Sequence, residues 1–335
     1  MVTLVTGGAG FIGSHVAEEL CRRGHHVVVL DDMSGGFVEN VPVGVELVRG
    51  SITDATLVDA LFAARRFAYV FHLAAYAAEG LSHFIKRFNY TNNLIGSVNL
   101  INASINHRVK CFVFTSSIAV YGTNPVLPLT EDTSPHPEDP YGIAKLAVEQ
   151  ELQVCRRMFG LDSIVFRPHN VYGERQNIGD RYRNVVGIFM NQSLAGCPMT
   201  VFGDGTQVRA FSYISDVAPV IAESIECAGA YNQTFNIGAD QPCSVNDLAA
   251  AVAASLEVPL RVTHLPARDE VQEAYASHAR LRATFGVRPT VTLDEGLARM
   301  AKWVREQGVR ESRPFEAIEV ARNLPPSWQT SFVST

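Results

Sequence analysis

A glycine-rich segment near the start of the chain constrains the fold more than any other feature of the sequence. Residues 6–13 read Thr-Gly-Gly-Ala-Gly-Phe-Ile-Gly, between a short β-branched run at residues 2–6 and apolar residues at helical spacing over residues 11–23. Glycines there permit a tight turn and close approach of the backbone to a pyrophosphate, and the helix N-terminus offers free N–H groups. The segment predicts a strand–turn–helix unit that binds a dinucleotide, and the competing interpretation is a glycine-rich turn without a ligand.

An acidic residue at the end of the second predicted strand indicates which dinucleotide binds. Asp31 follows Gly13 by eighteen residues. A carboxylate at this place accepts hydrogen bonds from both hydroxyls of the adenosine ribose and repels a 2′-phosphate. No lysine or arginine follows before Arg49 to attract such a phosphate. We therefore expect NAD rather than NADP.

Apolar runs and helical patterns alternate through the first half of the chain. After the glycine-rich unit, strands are predicted at residues 27–30, 45–48, 69–73, 111–115 and 163–166, and helices at 53–64, 84–106 and 141–159. Near-continuous apolar strands that alternate with helices are typical of a parallel sheet buried on both faces. We expect an α/β fold: a Rossmann-like, doubly wound parallel sheet with a smaller α/β C-terminal substrate domain.

The regular alternation ends at Pro168, and three regions are predicted from this change. Residues 1–168 form an NAD-binding domain to which later segments return, and residues 169–309 mainly bind the substrate. Residues 310–335 are polar and contain three prolines. They are expected to form a tail that lies over the surface or is partly disordered.

Charge, hydropathy and cysteine spacing exclude several classes of protein. The formal net charge is −6, which argues against a nucleic-acid partner. No apolar run approaches the roughly 20 residues of a membrane-spanning helix, so no membrane partner is expected. The six cysteines are scattered without a CxxC pair, as in reduced cytoplasmic proteins, and the ten histidines show no metal-ligand spacing. We expect a cytoplasmic protein without a metal site.

Two separated segments carry residues suited to proton transfer. Tyr141 and Lys145 lie four residues apart on a predicted helix, which places the phenol and the ammonium on one face. A positive charge at that distance favours the phenolate and is expected to lower the pKa of the tyrosine. Alone this pair is common and means little. It gains meaning from the Thr-Ser-Ser run at residues 115–117, because a serine at the end of a central strand can bond a reacting hydroxyl.

With these motifs in place, the chain resembles the extended short-chain dehydrogenase/reductase family, and within it the nucleotide-sugar epimerases, from Val2 to about Trp303. The resemblance implies that Ser117, Tyr141 and Lys145 are catalytic. It also implies that the cofactor-binding residues are Gly7, Gly10, Phe11, Ile12, Gly13, Asp31, Asp32, Ser51, Ile52, Leu73, Ala74, Ala75, Asn92, Ser116, Tyr141 and Lys145.

The second half contains segments similar to the family's substrate-binding signatures. Residues 167–173 (Arg-Pro-His-Asn-Val-Tyr-Gly) and 202–209 (Phe-Gly-Asp-Gly-Thr-Gln-Val-Arg) imply that Asn170 and Arg209 contact the diphosphate of the nucleotide sugar. Residues 268–271 (Arg-Asp-Glu-Val) are one residue shorter than the family element and imply a nucleotide contact for Arg268. Counting from that element, the resemblance implies that Ala274 lies beside the substituent at C2 of the sugar. It also implies that Ser117 contacts the sugar.

The family's reactions differ in what lies between Ser117 and Tyr121. Relatives that eliminate water or carbon dioxide carry acidic residues there, whereas this chain has Ile118, Ala119 and Val120. The resemblance therefore implies an NAD-dependent epimerase that inverts C4 of a UDP-sugar through a transient 4-keto sugar. A nucleotide-sugar 4-ketoreductase or dehydrogenase, an epimerase acting at another carbon, and a cofactor-sensing regulator remain alternatives. The resemblance also implies a homodimer.

Overall fold

The apolar runs of the first half form strands of one sheet. The computed structural model describes residues 1–124, 126–268 and 270–329. The strands are β1 (Val2–Thr6), β2 (His26–Asp31), β3 (Glu46–Arg49), β4 (Tyr69–His72), β5 (Cys111–Thr115), β6 (Ser163–Pro168), β7 (Val171–Tyr172), β8 (Met199–Phe202), β9 (Val208–Ala210), β10 (Ser212–Tyr213), β11 (Thr234–Ile237), β12 (Pro242–Ser244), β13 (Val262–Leu265) and β14 (Glu273–Ala274).

Helices connect these strands and cover both faces of the main sheet. They are α1 (Phe11–Arg22), α2 (Ala55–Ala64), α3 (Glu79–Ser82), α4 (Lys86–Tyr90), α5 (Gly96–Asn106), α6 (Pro140–Phe159), α7 (Val185–Leu194), α8 (Ile214–Glu223), α9 (Val245–Ser255), α10 (Ala279–Phe285), α11 (Leu293–Gln307) and α12 (Pro326–Gln329). Among the residues with described structure, no helix has the length and apolar character needed to cross a membrane.

The main sheet has the order β3-β2-β1-β4-β5-β6-β11, and all its strands are parallel. The expected Rossmann-like class is confirmed. From β1 the chain builds the sheet outward to β3, and from β4 it builds the sheet outward in the opposite direction. The carboxyl ends of the adjacent strands β1 and β4 therefore border a crevice, because the connections that leave them run apart. Strand β11, from the second half of the chain, pairs with β6 at the edge of this sheet.

Side chains of the central strands alternate between two apolar layers. Val5 and Val29 belong to one buried cluster and Leu4 and Val28 to the other, all fully buried. Because successive side chains of a strand point to opposite faces, a strand covered on both faces is mostly apolar along its length. This explains why the strands could be recognised as continuous apolar runs.

The helix predicted over residues 84–106 is interrupted. Helix α4 begins at Lys86, and a π-helical turn over residues 91–95 separates it from α5. The buried Asn93 lies in this turn, accepts a hydrogen bond from the Tyr76 backbone N–H at 2.8 Å and donates to the Tyr76 carbonyl at 3.1 Å. The turn thus fixes the chain that leaves β4, a tertiary contact that helical periodicity does not encode.

The second half forms small sheets beside the main one. Strands β7 and β10 pair, as do β8 and β13, and β9 lies between β12 and β14. In the last of these sheets Ala274 pairs with Arg209. The irregular elements expected after Pro168 therefore place two predicted substrate residues side by side.

The C-terminal segment packs against the protein as far as it is described. Trp328 and Leu324 are buried together with Leu81 and Ile85 of the segment after β4. The Trp328 ring lies 5.3 Å from that of Tyr182 and 6.2 Å from that of Phe202, centroid to centroid. Residues 310–329 of the predicted tail thus contact the rest of the chain, and residues 330–335 lie outside the described residues.

Candidate active site

One cavity of about 540 Å³ collects nearly all the predicted site residues. It lies where the main sheet's strands end: Gly7 follows β1, Asp31 ends β2, Leu73 follows β4 and Ser116 follows β5. Of the predicted residues, those that line it are Gly7, Gly10, Phe11, Ile12, Gly13, Asp31, Asp32, Ile52, Leu73, Ala74, Ala75, Asn92, Ser116, Ser117, Tyr141, Lys145, Asn170, Arg209, Arg268 and Ala274.

Ser51 is the predicted residue that the structure does not bring to the cavity wall. Its hydroxyl lies 2.9 Å from that of Thr53 and accepts a hydrogen bond from the Thr53 backbone N–H at 3.2 Å. Serine commonly closes such local turns before a helix. Its neighbours Gly50 and Ile52 line the cavity instead.

The glycine-rich turn packs so closely against backbone atoms that side chains are excluded at Gly7 and Gly13. Gly7 has φ +71°, and a Cβ there would lie 2.8 Å from the Ala74 backbone; a Cβ on Gly13 would lie 2.1 Å from the Gly7 carbonyl oxygen. The Asp31 carboxylate holds the turn by accepting hydrogen bonds from the N–H groups of Ala9 at 3.0 Å and Met33 at 2.8 Å. Burial raises the pKa of Asp31, and these N–H groups oppose the rise. The turn and its carboxylate fit the pyrophosphate and ribose of a dinucleotide.

Tyr141, Lys145 and Ser117 meet because helix α6 begins beside the end of β5. Asp139 caps the helix, accepting a hydrogen bond from the Gly142 N–H at 2.9 Å, and Pro140 occupies its first turn. Tyr141 is hydrogen-bonded with Ser117. All three predicted catalytic side chains are buried, and all three line the cavity.

The expected lowering of the Tyr141 pKa is not what the structure shows. Burial raises the pKa of Tyr141, the Glu79 carboxylate raises it further, and the hydrogen bond with Ser117 acts in the opposite direction. Lys145 donates instead to the Thr115 carbonyl at 2.8 Å, and burial lowers its pKa to about 7. Desolvation disfavours both charged forms, and sequence spacing does not reveal it.

A buried ionic network lies next to the predicted catalytic residues. Arg167 donates to both oxygens of the Glu149 carboxylate, at 3.0 and 2.5 Å, and to the Tyr121 hydroxyl at 2.8 Å. Glu149 also accepts a hydrogen bond from the Ser116 hydroxyl. The network ties α6, β5 and β6 together directly below Ser117.

Asn170 and Arg209, predicted to contact the diphosphate, and Arg268, predicted to contact the nucleotide, line the same cavity. Arg209 donates to backbone carbonyls, including that of Gln272 at 3.0 Å, and makes no ion pair within the described residues. Arg268 pairs with Glu270 at 3.0 Å and lies 4.4 Å above the centre of the Phe202 ring. Asn170 donates to the Ala210 carbonyl at 3.1 Å. Guanidinium groups in this setting are suited to a phosphate.

Ala274, which follows the shortened element beside Arg268, lies in the cavity wall. Ala274 lines the cavity next to Arg209, whereas Tyr275 is outside the lining residues. Asp269, within the shortened element, lies outside the described residues. The register of β14 on β9 thus puts the small side chain of Ala274 in the cavity wall.

Sequence reasoning missed several cavity residues. Glu79 begins α3, shortly after the predicted cofactor-binding residues Leu73–Ala75, and Asp139 lies just before Tyr141 in the chain. Asp139 followed by Pro140 is a recognisable helix start, and that signal could have located it. Glu79 and Arg183 carry no such pattern, because the tertiary fold alone brings them to the cavity. In the described residues, no group of three His, Cys, Asp or Glu side chains is placed to hold a metal ion.

Comparison with known proteins decides the family. The NAD dependent epimerase/dehydratase family matches residues 3–238, and a UDP-glucose 4-epimerase of Mycolicibacterium smegmatis is 36% identical over 92% of this chain and 99% of its own length. This chain belongs to the NAD dependent epimerase/dehydratase family. Membership confirms the expected resemblance and the expected cofactor, NAD.

Two solved structures of the family are similar along almost the whole chain. The UDP-glucose 4-epimerase of Thermotoga maritima, with UDP-glucose, has a TM-score of 0.87 and 36% identity, covering 92% of this chain and 99% of that one. The UDP-glucuronic acid 4-epimerase of Bacillus cereus, with UDP-glucuronic acid and NAD, has a TM-score of 0.83 and 28% identity, covering 92% and 100%. The family members of this shape therefore include proteins named for neutral and for acidic sugars.

Proposed function

We propose that this family member is an NAD-dependent nucleotide-sugar epimerase that inverts C4 of a UDP-sugar. One observation carries the proposal: a single cavity is lined by the glycine-rich turn, by Ser117 with Tyr141, and by Arg209, whose guanidinium has no ion pair among the described residues. Such a cavity can hold a dinucleotide, a sugar hydroxyl and a diphosphate together. The names and ligands of the similar structures support this assignment.

The chain's own residues then supply proton transfer and positioning. NAD, when bound against the glycine-rich turn, accepts and returns a hydride and adds a positive charge near Tyr141. Tyr141 takes the proton of the sugar hydroxyl and returns it, while Ser117 shares the hydrogen bond. Arg209 and Asn170 hold the diphosphate, so binding energy acts away from the reacting carbon and leaves the sugar free to turn.

The segment after Ser117 favours epimerisation over elimination. Ile118 and Ala119 line the cavity where relatives that eliminate water or carbon dioxide carry acids. Hydrocarbon side chains move no proton. The 4-ketoreductase or dehydrogenase alternative differs from the epimerase in that it must exchange its cofactor in every turnover. An epimerase purified with NAD should interconvert UDP-glucose and UDP-galactose without added cofactor, and chromatography measures both sugars. Turnover only with added NADH would contradict the epimerase proposal.

Asp31 is proposed to select NAD. The Asp31→Ala variant should bind NAD about 10- to 100-fold more weakly, because it loses acceptors for two ribose hydroxyls. The variant should also reduce the difference between the dissociation constants of NAD and NADP, because a charge that repels the 2′-phosphate of NADP is removed. Calorimetry with both dinucleotides measures the ratio, and Asp59→Ala on the exposed side of α2 is the matched control. Equal binding of NAD and NADP by the wild type would contradict the proposal.

Ala274 is proposed to leave room for a substituent at C2 of the sugar. The wild type should accept UDP-N-acetylglucosamine as well as UDP-glucose, and Ala274→Tyr should lower kcat/KM for the N-acetylated substrate by at least about fivefold relative to UDP-glucose. Exclusion of the acetamide methyl, worth about 1 kcal/mol, accounts for this change. Tyr275→Ala is the control, because Tyr275 does not line the cavity. An unchanged ratio in Ala274→Tyr would remove Ala274 from the sugar site.

We also propose a cytoplasmic homodimer. The dimer is supported by exposed apolar side chains on helix α6, among them Ile143, Val154 and Met158, whose spacing places them along one side of the helix. The cytoplasmic location is supported by the cysteines, because all six are free thiols, as in a reducing compartment. Light scattering of the purified protein, with Met158→Glu as a disrupting variant, tests the dimer.

A further inference from the structure

One carboxylate in the cavity lacks a partner. The other acidic side chains that line it are Asp31, Asp32, Glu138, Asp139, Asp180 and Glu270, and each accepts a hydrogen bond from a described residue. Within the described residues, the Glu79 carboxylate makes neither a hydrogen bond nor an ion pair, and its side chain is open to the cavity. A carboxylate inside a binding cavity without a protein partner is available to a ligand.

Glu79 stands beside the reacting groups. The Ser82 hydroxyl of the same short helix accepts a hydrogen bond from the Tyr141 N–H at 3.3 Å and donates one to the Glu79 carbonyl at 2.6 Å, so α3 is held against the start of α6. Tyr141 is the residue proposed to touch the reacting hydroxyl, and both Tyr141 and Glu79 line the cavity, so Glu79 lies at its sugar end rather than at its adenosine end.

The cations near Glu79 are committed elsewhere. Arg268 is paired with Glu270, and Arg183 with Asp180 at 2.6 Å. Arg209 makes no ion pair with a described residue, and under the proposed function it faces the diphosphate. Once a diphosphate is bound, the three described arginines of the cavity are engaged elsewhere, and none of them is left to pair with a second negative charge beside Glu79.

We propose that Glu79 is a charge filter of the sugar site: it accepts hydrogen bonds from the hydroxyls of a neutral sugar and rejects nucleotide sugars that carry a carboxylate on the ring. This inference rests on the proposed function and narrows its substrate class to uncharged sugars. Like charges brought together without screening disfavour binding strongly, whereas hydroxyl donors are favoured by a carboxylate acceptor.

The test compares UDP-glucose with UDP-glucuronate in the NAD-loaded protein. Burial and the nearby Asp139 raise the pKa of Glu79 to about 7, so an assay near pH ~8.5 keeps the carboxyl ionised. The dissociation constants are measured by calorimetry and kcat/KM by chromatography for the wild type, for Glu79→Gln, and for Glu138→Gln. The last variant removes the same charge from an exposed side chain that is held by Thr123.

We expect the wild type to bind UDP-glucuronate at least about tenfold more weakly than UDP-glucose, and Glu79→Gln to reduce that ratio at least about tenfold. Glu138→Gln should leave the ratio as it is in the wild type. Equal binding of the two by the wild type, or an unchanged ratio in Glu79→Gln, would overturn the charge filter. Absence of turnover with both would overturn the proposed function, while the ratio of dissociation constants would still decide the role of Glu79. If the wild type bound neither UDP-glucose nor UDP-glucuronate, both the charge filter and the proposed function would be overturned.

Discussion

The Tyr141→Phe variant should retain its fold and its NAD but lose about 10²–10⁴-fold in kcat, the usual effect of removing a general base. The phenol is hydrogen-bonded with Ser117 and lies in the cavity that both Arg209 and the glycine-rich turn line. Phenylalanine preserves the ring and removes the hydroxyl that exchanges the proton. NAD content and circular dichroism report the fold, and interconversion of UDP-glucose and UDP-galactose reports the loss.

Tyr76→Phe is the matched control for this variant. Tyr76 is a second phenol lining the same cavity, and its ring lies under the Arg183 guanidinium at 4.8 Å. It is not bonded to Ser117, so removing its hydroxyl should cost far less turnover. If Tyr141→Phe kept near-normal kcat, or if both variants lost the same activity, Tyr141 would have no place in the proton transfer.

Breaking the buried ion pair below the site should have the largest effect on stability. Glu149→Gln leaves the Arg167 guanidinium, whose side chain is 6% exposed, without a carboxylate. Isolating one charge of a buried pair costs about 3–5 kcal/mol of the free energy of unfolding. Denaturant unfolding monitored by fluorescence measures this loss.

Two further variants show whether the isolated charge is the cause. In Glu149→Gln combined with Arg167→Met the guanidinium is gone, and the double variant should be more stable than Glu149→Gln alone. Glu46→Gln breaks the half-exposed pair with Arg65 and should cost less than about 1 kcal/mol. A Glu149→Gln variant as stable as Glu46→Gln would show that the buried pair does not hold α6 against β6.

The local features of this chain could be read without its structure. Strand β1, the glycine-rich turn and helix α1 follow from β-branched residues, glycines and helical spacing, all of which act over a few neighbouring residues. Tyr141 and Lys145 share a helix face for the same reason. The resemblance to a known family then placed Arg209 and Ala274 in a site that neither spacing nor composition could have joined to Tyr141.

The properties that remained hidden depend on what surrounds a residue in space. Sequence spacing predicted a lowered pKa for Tyr141, but burial and Glu79 raise it, because desolvation and long-range charges are set by the folded environment. The packing of Trp328 over Phe202 and the unpartnered Glu79 carboxylate likewise arise between segments far apart in the chain. The sequence by itself determined the sheet, the glycine-rich turn and the shared helix face of Tyr141 and Lys145, since these are encoded in local periodicity and turn chemistry. Only the tertiary structure decided which charges line the cavity, because that depends on the distances between side chains that the fold brings together.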